Sequence, residues 1–150
     1  MKDILLVGMQ FILFSLYLFR WTAIDFQIPL VLKIMGAVFT LIGSIFATTA
    51  LFNLNTNLSP YPSPKAGAKL IKTGAYRFAR HPIYSGILFF CLGYGLFSAN
   101  TLRLLIFLAL LILFTYKARY EEQLLEKKYP EYISYKKNRG MFLPKWSKKN

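Results

Sequence analysis

The sequence has few of the residues from which most active sites and metal centres are built. In 150 residues it has one cysteine, one histidine and six acidic side chains. The single Cys91 excludes a disulfide framework within the chain and a cysteine-based metal cluster. His81 and the acidic residues lack the spacing of zinc ligands, and no glycine-rich phosphate-binding loop is present. We therefore expect no metal site.

Charged residues are also scarce, and the apolar residues come in blocks. Hydrophobic residues make up 55% of the chain and charged residues 17%. Four apolar segments lie at residues 4–19, 28–52, 83–97 and 102–116, which favours membrane-spanning helices over a soluble fold. The last two would reach only about 22 Å as helices, against a hydrocarbon core of about 30 Å. We therefore expect both helices to continue past their apolar stretch.

The net charge is +13, and its distribution indicates a membrane. Of the 19 Lys and Arg residues, five lie in residues 53–82 and ten in residues 117–150. Nucleic-acid binding is one interpretation of this charge, but basic segments that flank apolar ones are typical of the cytoplasmic side of a membrane. With four spans, both basic segments and the N-terminus share that side. The sequence predicts contact with membrane lipids and not with nucleic acid, in a bacterial or archaeal cytoplasmic membrane with both termini cytoplasmic.

The first apolar segment has a second interpretation, because it follows a Met-Lys start as a signal peptide does. It has no small-residue cleavage site, however, and Arg20-Trp21 follows it directly. A retained helix is therefore favoured.

The segments between the spans predict one all-α domain, with two N-terminal spans in residues 1–52 and a core in residues 53–150. Asn, Pro and Ser predict a loop after the second span. Residues 98–101 would join the last two spans as a tight antiparallel hairpin. The fourth helix should run on into the cytoplasm up to Tyr129-Pro130, and a short helix should follow at residues 131–138. Gly140 is then expected as a left-handed cap, with "MFLPKW" as an interfacial anchor.

Two charged clusters are predicted to meet at the cytoplasmic end of the hairpin. Pro82 suits the first turn of a helix, because its missing N–H would be unpaired there. The start of that helix, strengthened by Arg80 beside His81, favours a carboxylate. Glu121 and Glu122 lie on the helix that the hairpin returns to the same depth. A zwitterionic or cationic ligand fits between the two clusters.

Each of these signals also has an ordinary structural interpretation. A lone His at a membrane boundary is more often an interfacial residue than a ligand or base. Glu121 and Glu122, on a helix rich in Lys and Arg, would more often form a solvated, salt-bridged face. Three tyrosines that share one face more often serve packing; they are Tyr129, Tyr132 and Tyr135. The residues by themselves leave the chemistry open.

The order of the motifs resembles the isoprenylcysteine carboxyl methyltransferase family, to which phospholipid N-methyltransferases are related. "TGAYRFARHPIYSG", a helical hairpin and "ARYEEQLLEKKYPEYISYKKNRGMFLP" are similar to its patterns G-x-Y, R-H-P-x-Y-x-G, R-x-E-E-x-x-L and E-Y-x-x-Y. The similarity covers about residues 67–145. It implies methyl transfer from S-adenosylmethionine, leaving S-adenosylhomocysteine, to a lipophilic acceptor such as an isoprenylcysteine carboxylate or a lipid amine.

The resemblance also implies a site. Besides Arg80, the residues expected at the cofactor are Lys69, Leu70, Ile71, Tyr76, His81, Pro82, Ile83, Tyr84 and Glu122. Arg119 is expected to face the acceptor, and Glu121 to take the proton if the acceptor is an amine. The alternative is a non-catalytic membrane protein that retains the pocket for sensing or for assembly with a partner. The oligomeric state stays open.

Overall fold

The protein is all-helical in the part of the chain that the computed structural model describes, residues 1–19 and 26–145. Its helices are α1 (Lys2–Leu18), α2 (Leu30–Leu54), α3 (Pro82–Phe97), α4 (Thr101–Lys128) and α5 (Tyr132–Asn138). Two short 3-10 turns, Asn55–Asn57 and Gly74–Arg77, lie in the loop before α3. Within these residues no β-strand forms, so the predicted all-α fold is confirmed.

Among the described residues, two helices are long and apolar enough to cross a membrane: α2, with 25 residues, and α4, with 28. The prediction that the fourth helix continues past its apolar stretch is confirmed. The same prediction for the third is wrong, because α3 has only 16 residues. It begins at Pro82, and the chain turns at Ser98 into the predicted hairpin. The crossing of all four helices stays a prediction.

Helix α2 turns its large apolar side chains outward. It buries only Gly36, Gly43 and Ala50, whereas Leu41 is 62% exposed and Phe52 78%. Soluble monomers rarely expose a continuous apolar surface of this size. The surface is that of a helix surrounded by lipid, as expected of a membrane protein.

Helices α2 and α3 pack through glycines on both sides. A Cβ atom on Gly43 would lie 2.4 Å from the backbone nitrogen of Phe90, and one on Gly86 would lie 2.4 Å from that of Ala47. Small residues let two backbones touch, which favours helix association in lipid, where the hydrophobic driving force between helices is lost. This contact fixes α3 against α2. Helix α1 packs instead on α4.

The segment after α5 returns to the start of α3. The Arg80 N–H donates to the Gly140 carbonyl at 2.9 Å, and the His81 N–H donates to the Met141 carbonyl at 3.0 Å. Two backbone N–H groups at the start of α3 are therefore already used within the chain. These two N–H groups are therefore not available to the carboxylate that was predicted to bind at the start of α3.

Two predictions for this segment need correction. Gly140 is not a left-handed cap, since the described glycines with positive φ are Gly67 and Gly74. A Cβ on Gly140 would lie 2.0 Å from the Leu143 carbonyl oxygen, so glycine serves a close approach of the chain. In the expected interfacial anchor, Phe142 instead packs against the core between α3 and α4. Residues 146–150, including the tryptophan of that anchor, lie outside the described residues.

Candidate functional site

A cavity of about 420 Å³ lies where α3 begins. Apolar side chains of α1 and α2 line it, among them Phe11, Phe14 and Leu51. The loop between α2 and α3 contributes further residues, and so do α4 and α5. The wall thus combines the two N-terminal helices with the later part of the chain.

Most of the predicted site residues meet at this cavity. Those in its wall are Lys69, Leu70, Ile71, Tyr76, Arg80, His81, Ile83, Tyr84 and Glu121. Pro82, Glu122 and Arg119 are not in the wall: Pro82 and Glu122 are buried, and Arg119 is exposed. The roles that the resemblance implied for these residues stay predictions.

The His-Pro corner and the acidic pair are in direct contact. His81 Nε2 lies 3.2 Å from Glu122 Oε1, and His81 Nδ1 lies 3.7 Å from Glu121 Oε2. The predicted convergence is therefore confirmed. Because His81 is 5% exposed and Glu122 2%, the alternatives of an interfacial histidine and a solvated glutamate are wrong for these two side chains.

Glu122 is the centre of a buried charge cluster. Its Oε1 also lies 3.2 Å from Arg80 Nη2, and its Oε2 lies 3.1 Å from Lys136 Nζ. The pKa of Lys136 is raised mainly by its hydrogen bond with Glu126, and also by its hydrogen bond with Glu122. The two cationic side chains Arg80 and Lys136 thus compensate the buried charge of Glu122, which otherwise would be costly to desolvate. Both oxygens of Glu122 are engaged, so Glu121 supplies the carboxylate in the cavity wall.

An aromatic stack positions the tyrosine that contacts the Glu121 carboxylate. The His81 ring is stacked on Tyr84 with centroids 5.4 Å apart, and Tyr84 is stacked on Phe114 with centroids 4.7 Å apart. The Tyr84 hydroxyl donates to Glu121 Oε2 at 3.0 Å. The stack fixes the Tyr84 ring in the cavity wall.

Asparagine side chains hold the loop between α2 and α3 in place. Asn57 pairs with Lys69 through both amide atoms: its Nδ2 donates to the Lys69 carbonyl at 3.2 Å, and its Oδ1 accepts from the Lys69 N–H at 3.3 Å. Asn53 Oδ1 accepts from the Ala75 N–H at 2.7 Å. These bonds place the backbone of residues 69–71 at the cavity.

The predicted tyrosine stripe supports the same loop. Tyr129, Tyr132 and Tyr135 all line the cavity. The Tyr135 hydroxyl donates to the Tyr76 carbonyl at 2.5 Å, and the Tyr129 hydroxyl donates to the Ala68 carbonyl. Burial raises the pKa of the Tyr76 hydroxyl. These bonds fit the structural role that was considered for the three tyrosines from the sequence.

Sequence reasoning missed one buried cation in the wall. Lys117 is 1% exposed, and its Nζ donates to Gln10 Oε1 at 2.7 Å and to the Pro60 carbonyl at 2.8 Å. In the sequence Lys117 looks like one more member of a basic segment. The available signal was Gln10, an amide inside the apolar α1, because polar residues in spans are costly and often functional.

Comparisons with known proteins identify the family. The profile of the phospholipid methyltransferase family matches residues 31–132. The chain belongs to this family. It is 32% identical over 115 residues to the protein-S-isoprenylcysteine O-methyltransferase of Saccharomyces cerevisiae, covering 74% of this chain and 48% of the yeast protein. It is 30% identical over 88 residues to the nickel-cobalt-cadmium resistance protein NccN of Alcaligenes xylosoxydans xylosoxydans, covering 58% of this chain and 41% of that protein.

The resemblance recognised from the motifs is thus confirmed. The region of the chain that matches the family profile includes the His-Pro corner and the acidic pair. It also takes in α2, to which the motif similarity did not extend. The chain spans about half the length of the curated relatives it matches.

Proposed function

We propose that the protein is a membrane methyltransferase that binds S-adenosylmethionine in the 420 Å³ cavity. The observation that carries the proposal is the meeting of His81, Tyr84 and Glu121 at that cavity. All three lie within the region that matches the phospholipid methyltransferase family. The yeast relative is by its name an O-methyltransferase, which supports the same class of reaction here.

The residues of the wall fit the groups of this cofactor. The volume of 420 Å³ falls within the range of about 300–1,000 Å³ that is usual for ligand pockets. The ring of Tyr76 suits a sulfonium cation, and Glu121 adds negative charge to the same wall. When bound, the cofactor supplies an electrophilic methyl group, whose bond to sulfur breaks as the acceptor's lone pair forms the new bond. The chain's task is alignment and exclusion of water.

We propose separate roles for the two glutamates. Glu122 holds His81 and Arg80 in position, since both its oxygens are used inside the protein. Glu121 stands in the wall, where it attracts the cationic donor and takes the proton if the acceptor is an amine. A carboxylate acceptor loses no proton and needs no base. Arg119, exposed and outside the wall, stays a predicted acceptor residue that no contact among the described residues supports.

We further propose that the chain works as a single unit with four spans and cytoplasmic termini. The side chains of α1 and α2 in the cavity wall support one unit in preference to a core confined to residues 53–150. The outward apolar side chains of α1, such as Ile4 at 68% exposed, support a lipid-facing first helix. The basic loops support the orientation, and an acceptor in the bilayer would be lipophilic.

Calorimetry of the full chain in lipid nanodiscs tests the proposal. S-adenosylmethionine should bind saturably, and Glu121→Gln should weaken that binding roughly tenfold, because the variant loses the charge interaction with the sulfonium cation. Glu126→Gln is the matched control, because Glu126 pairs with Lys136 and is not in the cavity wall. Absence of saturable binding by the folded wild type would refute the proposal. Transfer of labelled methyl groups into lipid extract separates the enzyme from the non-catalytic alternative, which predicts binding without transfer.

A further inference from the structure

The cavity wall contains a buried cation that the proposed cofactor roles do not use. Lys117 lies on α4 with 1% of its surface exposed, and it lines the cavity. It stands four residues before Glu121, so the two side chains share one face of the helix. Its Nζ lies 5.5 Å from the centroid of the Tyr84 ring. Lys117 is therefore next to the groups proposed to act on the methyl donor.

The ammonium group of Lys117 keeps one hydrogen-bond donor for a ligand. An ammonium has three N–H donors, and two of them are used, by Gln10 Oε1 and the Pro60 carbonyl. Both acceptors are neutral. None of the ion pairs formed within residues 1–19 and 26–145 involves Lys117. The carboxylates of Glu121 and Asp3 interact with Lys117 electrostatically without forming one of these ion pairs, whereas a buried charge is usually paired directly with an opposite charge.

The surroundings of Lys117 indicate what kind of molecule would accept its remaining N–H. Gln10, which holds the ammonium, is followed on α1 by the cavity-lining Phe11 and Phe14. A hydrocarbon chain fits against such side chains. A cation beside an apolar wall suits an amphiphile with an anionic headgroup. Arg80 and His81 lie just before α3 and not on α4, and Glu122 already occupies the corner that they form.

We infer that Lys117 binds an anionic oxygen group, a carboxylate or a phosphate, of the lipophilic acceptor. The inference rests on the proposed function and narrows it to acceptors with an anionic headgroup. Lys117 is then a specificity-determining residue, which Gln10 and the Pro60 carbonyl hold in place. With a carboxylate acceptor it orients the oxygen that takes the methyl group. With a phosphate-bearing acceptor it anchors the headgroup beside Glu121.

Binding of three matched probes tests the inference without any need for turnover. Dodecanoate, dodecyl phosphate and dodecanol share one hydrocarbon chain and differ in the headgroup. Each is titrated into the full chain in phosphatidylcholine nanodiscs and corrected for partition into empty nanodiscs. At least one anionic probe should bind the wild type roughly tenfold or more tightly than dodecanol. The probe with the larger preference identifies the headgroup as carboxylate or phosphate.

Variants at Lys117 should remove that preference selectively. Lys117→Met, which keeps the apolar stem, should bind the anionic probes no better than dodecanol, and Lys117→Arg should keep part of the preference. If Lys117→Met does not fold, Lys117→Gln gives the same neutral test. An anion preference that is unchanged in the neutral variant would overturn the inference.

Lys128 provides the control for a purely structural role. Its Nζ donates to the Lys65 carbonyl at 2.5 Å, so it ties the same loop to α4, but it is exposed and outside the cavity wall. Lys128→Met should leave probe binding unchanged, and an equal loss in both lysine variants would contradict the inference.

Affinity for S-adenosylhomocysteine separates this inference from the proposed function. Lys117→Met should keep that affinity. If Lys117→Met lost affinity for S-adenosylhomocysteine but bound the probes as the wild type does, Lys117 would interact with an anionic group of the methyl donor. That result would overturn the inference. Lys117-dependent probe binding by a wild type that does not bind S-adenosylhomocysteine would support the anion site and refute the proposed cofactor.

Discussion

Replacing Glu122 by glutamine tests the buried charge cluster that holds the His-Pro corner. The substitution keeps the shape of the side chain but removes its charge from contacts of 3.2 Å with Arg80 and His81 and 3.1 Å with Lys136. Removing one partner of a buried ion pair costs about 3–5 kcal/mol. Because Lys136 is 40% exposed and glutamine keeps one acceptor, we expect a smaller loss of about 2–3 kcal/mol.

Thermal unfolding in nanodiscs measures this loss. For a chain of this size, about 1 kcal/mol corresponds to about 2–4 °C, so the Tm of Glu122→Gln should fall by about 4–12 °C. The control is Glu126→Gln, since Glu126 is 35% exposed and pairs with Lys136, and it should cost less than about 1 kcal/mol. Equal Tm values for the two variants would refute the reasoning. Glu122→Gln should also weaken S-adenosylhomocysteine binding, because His81 loses its partner.

Two further predictions concern the helix contact and the tyrosines. Gly43→Leu should destabilise the protein by about 3 kcal/mol or more, because its Cβ would lie 2.4 Å from the Phe90 nitrogen; size-exclusion chromatography should show loss of folded protein. Gly8→Leu, with nothing within 4 Å, should fold, and equal behaviour would contradict the packing argument. Burial raises the pKa of Tyr135 from 10.0 to about 12, so its contribution to stability is complete below pH 10 and is lost as the pH rises through about 12. The Tyr135→Phe variant should be less stable by about 1 kcal/mol at neutral pH and should lose less stability between those pH values; parallel unfolding curves for the two proteins would contradict this.

The elements of the fold followed from local patterns. Pro82 begins α3 because a residue without an N–H costs nothing in the first turn. Helix α4 continues to Lys128 because no helix-breaking residue precedes Tyr129. It stops there because Pro130 disfavours the helical conformation at Tyr129. The contact of His81 with Glu122 followed from the hairpin, since a short turn brings the two ends to one depth. Motif order predicted the family for the same reason, because the motifs lie in these local segments.

The remaining features depend on contacts between distant segments. Lys117 and Gln10 are 107 positions apart, and nothing in either neighbourhood indicates the other. Gly140 looked like a helix cap because the local sequence fits one, whereas its use is set by the return of the chain to residue 79. Lys136 belongs to the basic segment of residues 117–150, and only the packing of α5 brings it to Glu122. Periodicity and spacing describe one segment at a time, so they cannot assign such partners.

The return of residues 140 and 141 to the start of α3 sets an order of events during biosynthesis. Helix α3 leaves the ribosome about fifty residues before the backbone carbonyls that accept its first amide hydrogens. Until translation has passed that point, the His81 amide must rely on water or on a temporary partner. Synthesis of α3 therefore precedes completion of the cavity wall, and a newly made chain acquires the backbone contacts of its His-Pro corner only once residues 140 and 141 dock there.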